Sequence, residues 1–214
     1  MKSNRKLFFK IIIIIFVLIL VTYCISVVYK YVILSKIASA YEESKKIENY
    51  SYSYMSSTSN NTIYKFDNIT KITMEPAGII GKSIYWSDSS SGEQLEFMEN
   101  ENEKIYFNVD NNILNTLSST SLSTNDNEKF IKFIIAMNPF LFIRNCKYNN
   151  IDCYDIYYYN DGINIEKIDK KTGLILFSDY VIGGKTYYKY NFNDVTSKDV
   201  EKPDTNLYTY KNME

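Results

Sequence analysis

Three cysteines, 25 acidic residues and no histidine bound the chemistry open to this 214-residue chain. Without an imidazole, Ser-His-Asp and Cys-His nucleophile systems, histidine-containing zinc sites and histidine pH switches are all excluded. Paired carboxylates can still run a hydrolysis unaided. Nothing marks such a pair, and scattered acids such as Glu93, Glu96 and Glu99 read more simply as the solvated face of a strand. The seven glycines build no phosphate-cradling loop, since Gly162, Gly173, Gly183 and Gly184 fall where turns are expected. No catalytic, cofactor-binding or metal-binding residue is assigned, and a binding role is expected in place of an enzymatic one.

Cysteine chemistry is the one remaining possibility. Cys146 and Cys153 bracket Asn149-Asn150. If the two asparagines form a two-residue turn, Tyr148 pairs with Ile151, Lys147 with Asp152, and Cys146 faces Cys153. Facing residues on antiparallel strands stand about 4.5–5.5 Å apart at Cα, inside the disulfide range. Outside the cytoplasm such a pair is expected to oxidise, the alternative being two reduced, half-buried thiols. Cys24 lies too far away, within an apolar amino-terminal segment.

That segment sets the organisation of the chain. Lys2, Arg5, Lys6 and Lys10 precede an uncharged apolar run from Ile11 to Tyr29, and Lys30 closes it. As a helix the run spans about 28 Å, close to the hydrocarbon thickness of a bilayer. Basic residues resist translocation, so the amino terminus is expected in the cytoplasm and the bulk of the chain outside, as a single-pass cell-membrane protein. Two other readings exist. A lipoprotein signal would use Cys24 after Val21-Thr22-Tyr23, and a cleaved signal peptide would use Ala38-Ser39-Ala40. The expected divisions are a cytoplasmic flank at 1–10, a transmembrane anchor at 11–29, an extracytoplasmic domain at 30–202 and a polar tail at 203–214.

Five of the 24 basic residues and none of the acidic ones fall in the first thirty positions, which leaves the outer part with a net charge of about −6. Nucleic acid is therefore not an expected partner. Tyrosine is the compositional outlier, at 21 residues. Runs such as Tyr50-Ser51-Tyr52-Ser53-Tyr54 and Tyr157-Tyr158-Tyr159 suit pleated strands. They read either as sheet propensity alone or as a groove that offers amphipathic rings to a ligand.

From Tyr31 to Asn49 the period is helical, with Ile33, Ile37 and Tyr41 four apart, and no glycine or proline separates this stretch from the apolar run. From Tyr50 to Val109 the period falls to two, with Tyr64, Phe66 and Asn68 on one strand face and further strands at Lys82 to Trp86, Gln94 to Met98 and Lys104 to Val109. Asp110 to Asn125 reads as a loop. A second helix begins near Asn127, capped from Thr124, Asn125 or Asp126, and ends before Pro139. It places Phe130, Phe133, Ile134, Met137 and Leu141 on one face, either as core or as the lining of a lipid-sized groove. Asn149-Asn150, Asp161-Gly162, Asp169 to Gly173 and Gly183-Gly184 then punctuate an antiparallel meander of five strands from Ile143 to Phe192. After Asp194, Thr196 or Ser197 caps one turn, and Pro203 opens a loosely held tail.

The order helix, strands, helix, meander resembles the LolA-like superfamily of lipoprotein carriers and envelope sensors. So do Asn149-Asn150-Ile151-Asp152-Cys153-Tyr154, Ile168-Asp169-Lys170-Lys171-Thr172-Gly173-Leu174 and Tyr190-Asn191-Phe192-Asn193-Asp194-Val195 leading to Pro203-Asp204. The resemblance implies an α+β fold, in which an open half-barrel of antiparallel strands covers one or two helices. It also implies a concave face that holds a lipid or acylated ligand, with Trp86, Phe130, Phe133, Ile134 and Met137 as groove candidates. Family carriers are soluble, whereas this chain has the anchor candidate. Membrane-tethered relatives in Gram-positive cells, such as a clostridial germination lipoprotein, imply the alternative of a scaffold acting on an envelope protein such as a cell-wall amidase.

Overall fold

The computed structural model describes residues 2–78, 80–109, 127–159 and 161–212, the side chains of 2–7 and 127–131 excepted. Helix α1 (Lys2–Ser44) runs without a break, about 65 Å at the helical rise, because no glycine or proline interrupts it. From Phe8 onward it is long and apolar enough to cross a membrane. Its large apolar side chains are exposed from Phe8 to Ile25, then Val27, Lys30 and Ile33 are buried in turn. One helix thus changes surroundings part-way along, from an exposed apolar stretch to the chain's own sheet.

Twelve strands make that sheet. They are β1 (Tyr50–Met55), β2 (Ser59–Phe66), β3 (Ile69–Pro76), β4 (Gly81–Asp88), β5 (Glu93–Asn100) and β6 (Lys104–Asn108). Helix α2 (Asn127–Met137) follows, and then β7 (Phe142–Tyr148), β8 (Ile151–Tyr159), β9 (Ile163–Asp169), β10 (Ile175–Tyr180), β11 (Gly184–Phe192) and the short β12 (Thr209–Tyr210). Their spatial order is β12-β6-β5-β4-β3-β2-β1-β11-β10-β9-β8-β7. Two meanders, β1 to β6 and β7 to β11, are joined where β11 pairs with β1. Every pairing is antiparallel except β12 with β6. The fold is α+β with one large open sheet.

Register separates the two faces. The row Glu96, Tyr85, Ile72, Ile63, Tyr52 and Tyr190 lies on one face, and Trp86, next to Tyr85 in sequence, lies on the other. Each face carries a core. On the first, Ile33, Leu34 and Ile37 of α1 pack with Leu141, Tyr154, Ile156 and Ile168. On the second, Ile84, Trp86, Leu95 and Phe97 are covered by Tyr208, whose ring stands 5.0 Å from that of Phe97.

Several expectations change. Residues past Pro203 do not trail away: a 3-10 turn at Thr205–Leu207 leads into β12, and the indole Nε1 of Trp86 donates to the Val200 carbonyl at 2.9 Å. The polar composition hid this because the segment docks through scattered groups: the buried Val200, the rings of Tyr208 and Tyr210, and the Lys202–Glu93 and Lys211–Glu103 ion pairs. Asn68 lies in a turn, with Asp67 at φ 50°, and not on a strand face with Tyr64. Glu96 is buried, opposite Tyr85 on β4, while Glu93 and Glu99 share the other face. Spacing by three cannot keep all three acids on one side of a strand.

Helix α2 stops where Asn138 and Pro139 follow, with the Asn138 Oδ1 accepting from the Phe140 N–H at 2.9 Å. It packs against α1. The Tyr23 hydroxyl donates to the Met137 carbonyl at 2.6 Å, Lys30 Nζ donates to the Asn138 carbonyl at 2.9 Å, and the Phe133 ring meets Tyr31 edge-on at 6.4 Å. Ala136 is fully buried, whereas Phe133, Ile134 and Met137 are exposed. A small side chain permits close packing, and the large ones are turned outward. The loop expected at Asp110 to Asn125, the capping residues up to Asp126 and the side chain of Phe130 lie outside the described residues.

Candidate functional site

The sheet and α1 enclose two depressions. The larger, about 1400 Å³, lies past the carboxyl end of α1. Ala40, Glu43 and Ile47 border it on one side, Tyr54, Tyr188 and Tyr190 on another, and Lys170, Lys171 and Tyr148 at the hairpin turns. Along β1 and β11 the lining includes both Tyr54 with Tyr188 and their oppositely facing neighbours Met55 and Tyr187. It is therefore an open depression and not a closed slot on one face.

Beside it runs a row of tyrosine rings, of which Tyr54, Tyr188 and Tyr190 form its wall. Strand alternation places Tyr50, Tyr52 and Tyr54 on one face of β1, and register sets Tyr52 opposite Tyr190 and Tyr54 opposite Tyr188. The Tyr52 ring stacks on Tyr190 at 4.7 Å and lies 6.1 Å from Tyr188 and 5.5 Å from Tyr54. Burial, together with neighbouring phenols, pushes the Tyr52 and Tyr190 hydroxyls above their ordinary range, so both are neutral donors at any ordinary pH. Nearby, the Glu166 carboxylate accepts from Tyr180 at 2.6 Å and from Tyr158 at 3.1 Å. Burial first, and that carboxylate second, push the Tyr158 phenol up to about 12.

The smaller depression, about 640 Å³, sits where α1 leaves its exposed apolar stretch. Ser26, Tyr29 and Lys30 line it from the helix. Phe140, Phe142, Arg144, Tyr157 and Ile163 line it from the end of the sheet. Arg144 lies 4.8 Å over the Tyr157 ring, donates from Nε and Nη2 to Asp155 Oδ2 at 2.9 and 2.7 Å, and also donates to the Tyr157 hydroxyl. Lys167 holds the other Asp155 oxygen at 2.8 Å. Among the described residues no group of three metal-ligating side chains gathers.

Neither depression is lined by Trp86, Phe133, Ile134 or Met137. Trp86 is core on the face opposite α1, and the three α2 residues are exposed, Phe133 beside the Tyr31 ring of α1. Cys146 and Cys153 face each other at a Cα distance of 5.0 Å and are joined as a disulfide. Cys24 is exposed in mid-α1 with helix continuing on both sides. The tyrosine wall was signalled by the alternation at Tyr50-Ser51-Tyr52-Ser53-Tyr54, though not its partners on β11. The place of Lys30 had no sequence signal beyond its charge.

No family model and no curated protein matches the chain. Among solved structures, an uncharacterized conserved protein from Thermus thermophilus aligns over 84% of this chain and 99% of its own, at 7% identity and a TM-score of 0.35. That likeness is too slight to carry an argument.

Proposed function

We propose that this chain is a membrane-anchored, extracytoplasmic, non-enzymatic binding module of the LolA-like half-barrel kind, holding a lipid or acylated ligand in the tyrosine-walled depression. The anchor is α1, with its basic amino-terminal flank on the cytoplasmic side. The observation that carries the reading is the open, largely apolar cavity between the end of α1 and the rings of Tyr54, Tyr188 and Tyr190, the last stacked on Tyr52. Ring faces suit acyl chains, each buried methylene contributing about 0.8 kcal/mol, while Lys170, Lys171 and the hairpin asparagines suit a polar head.

The test uses the full chain, because Ile33 and Leu34 of α1 belong to the core and cannot be removed with the anchor. Native mass spectra are recorded before and after organic extraction, beside the variant Ala40→Trp, which narrows the cavity next to α1. A bound mass in the wild type that is lost in the variant and extracts as lipid is expected. A wild-type chain with no bound mass would sink the reading.

A second reading, a protein-binding envelope scaffold such as a regulator of a cell-wall amidase in germination, is favoured by β7. That strand ends the sheet, and among the described residues no further strand pairs with its outer edge, where one could be added. It expects the apo mass in the same measurement.

A further inference from the structure

Among the described residues, Lys30 is the charged side chain buried where α1 emerges from its exposed apolar stretch, at 6% exposure. Its ammonium has three protons to donate, and the Asn138 carbonyl takes one of them. Among the described residues no carboxylate pairs with it. Arg144 and Lys167 both pair with Asp155, on the sheet face opposite α1. A buried cation with a neutral partner and an adjoining cavity calls for an anion. Arg144 also borders the cavity, but from the other face of the sheet, where Asp155 and Tyr157 hold its guanidinium.

The position of the cavity says where that anion comes from. Tyr23, inside the apolar run, bonds to Met137, and Lys30, just past its end, bonds to Asn138, so the carboxyl end of α2 lies level with the last two turns of the run. The same end of the molecule exposes Phe140 and Phe142, at 64% and 62%, together with Ile163. All three line the cavity mouth. Apolar side chains exposed beside a basic pocket, at the level where a spanning helix leaves the hydrocarbon, match the boundary between acyl chains and headgroups.

We propose that this cavity binds the phosphate of an anionic glycerophospholipid from the leaflet on the domain's side. Lys30 meets the phosphate, and the acyl chains run along Phe140, Phe142 and Ile163. The site fixes the height and tilt of the domain on the membrane. It rests on the anchoring by α1 proposed above and not on a ligand in the tyrosine-walled depression.

The experiment reconstitutes the full chain into phosphatidylcholine nanodiscs, with and without phosphatidylglycerol, and counts phospholipids retained on the released protein by native mass spectrometry. Retained phosphatidylglycerol in preference to phosphatidylcholine is expected. Lys30→Met should weaken that retention about tenfold, as for loss of one charge-assisted hydrogen bond, and Lys30→Arg should keep it. Lys46→Met, in a remote exposed ion pair with Glu43, should not weaken it. Equal retention of the two lipids, or retention indifferent to Lys30→Met, overturns the proposal while the anchoring stands. Displacement by millimolar inorganic phosphate would assign the site to free phosphate and overturn the lipid source. Failure of the chain to enter nanodiscs at all would overturn the anchoring and this site together.

Discussion

Gly173 is pressed against the backbone of Ile37 on α1. A Cβ at this glycine would stand 2.6 Å from the Tyr41 nitrogen and closer still to the Ile37 carbonyl oxygen, and its φ is +69°. The turn between β9 and β10 therefore touches helix backbone directly, and this contact sets the sheet on the helix that carries the apolar run.

Gly173→Ala should cost about 2 kcal/mol or more, since backbone on both sides cannot yield and a left-handed φ is added strain. Gly92 has a similar φ of +74° with nothing within 4 Å, so Gly92→Ala should cost only about 1 kcal/mol. Thermal melts of the two variants in the same detergent compare steric and conformational effects directly.

Trp86→Phe keeps the ring in its core but leaves the buried Val200 carbonyl without its donor. A loss of about 1–3 kcal/mol is expected. Limited proteolysis should then cleave after Phe192 in the variant at a protease level that spares the wild type. Equal resistance would mean that Tyr208 and β12 hold the segment unaided.

The two buried acids should respond to pH with opposite sign. Burial pushes the Asp155 carboxyl up, but hydrogen bonds from Lys167, Tyr157 and Arg144 outweigh it and hold it below the usual carboxylate range. Its stabilisation is present above the unfolded value near 4 and is lost as pH falls through the lower folded value. Burial raises the Glu96 carboxyl, and the Tyr85 hydrogen bond only partly opposes this. Glu96 is therefore stabilising below the ordinary glutamate range, and that contribution is lost as pH rises through its raised folded value. Melting temperatures against pH should show Asp155→Asn less stable at neutral pH by about 3 kcal/mol, with the gap closing in acid. Glu96→Gln should be more stable than wild type at neutral pH, with no advantage in acid.

Replacing both Cys146 and Cys153 by serine should cost about 2 kcal/mol, because the bridged positions are only 7 apart and the closed loop is short. The β7–β8 register should survive, since Asn149 and Asn150 hold the turn at φ 49° and 65°. Denaturant unfolding gives the first quantity, and amide exchange across β7 and β8 gives the second.

Much of the architecture could be read locally. The unbroken helix through Lys30, the end of α2 before Pro139, the five-strand meander and its hairpin turns all follow from rules that act within a few residues. Such rules failed where residues are equally suited to two fates. Phe133, Ile134 and Met137 fit a helix face whether it is buried or not, and here Ala136 is the buried position. Trp86 fits a groove or a core, and the choice fell to a carbonyl 114 residues away.

From its order of residues alone the chain determines its elements, its apolar run, the excluded histidine chemistries and the facing of Cys146 and Cys153, because periodicity, charge and turn preference are properties of neighbours. Folding in three dimensions decided the rest. That β11 closes on β1 and stacks Tyr190 on Tyr52, that the carboxyl-terminal segment covers Trp86, and that Lys30 is buried against the Asn138 carbonyl are pairings between distant segments. Such pairings depend on which surfaces fit once all elements are packed, and no local pattern encodes that.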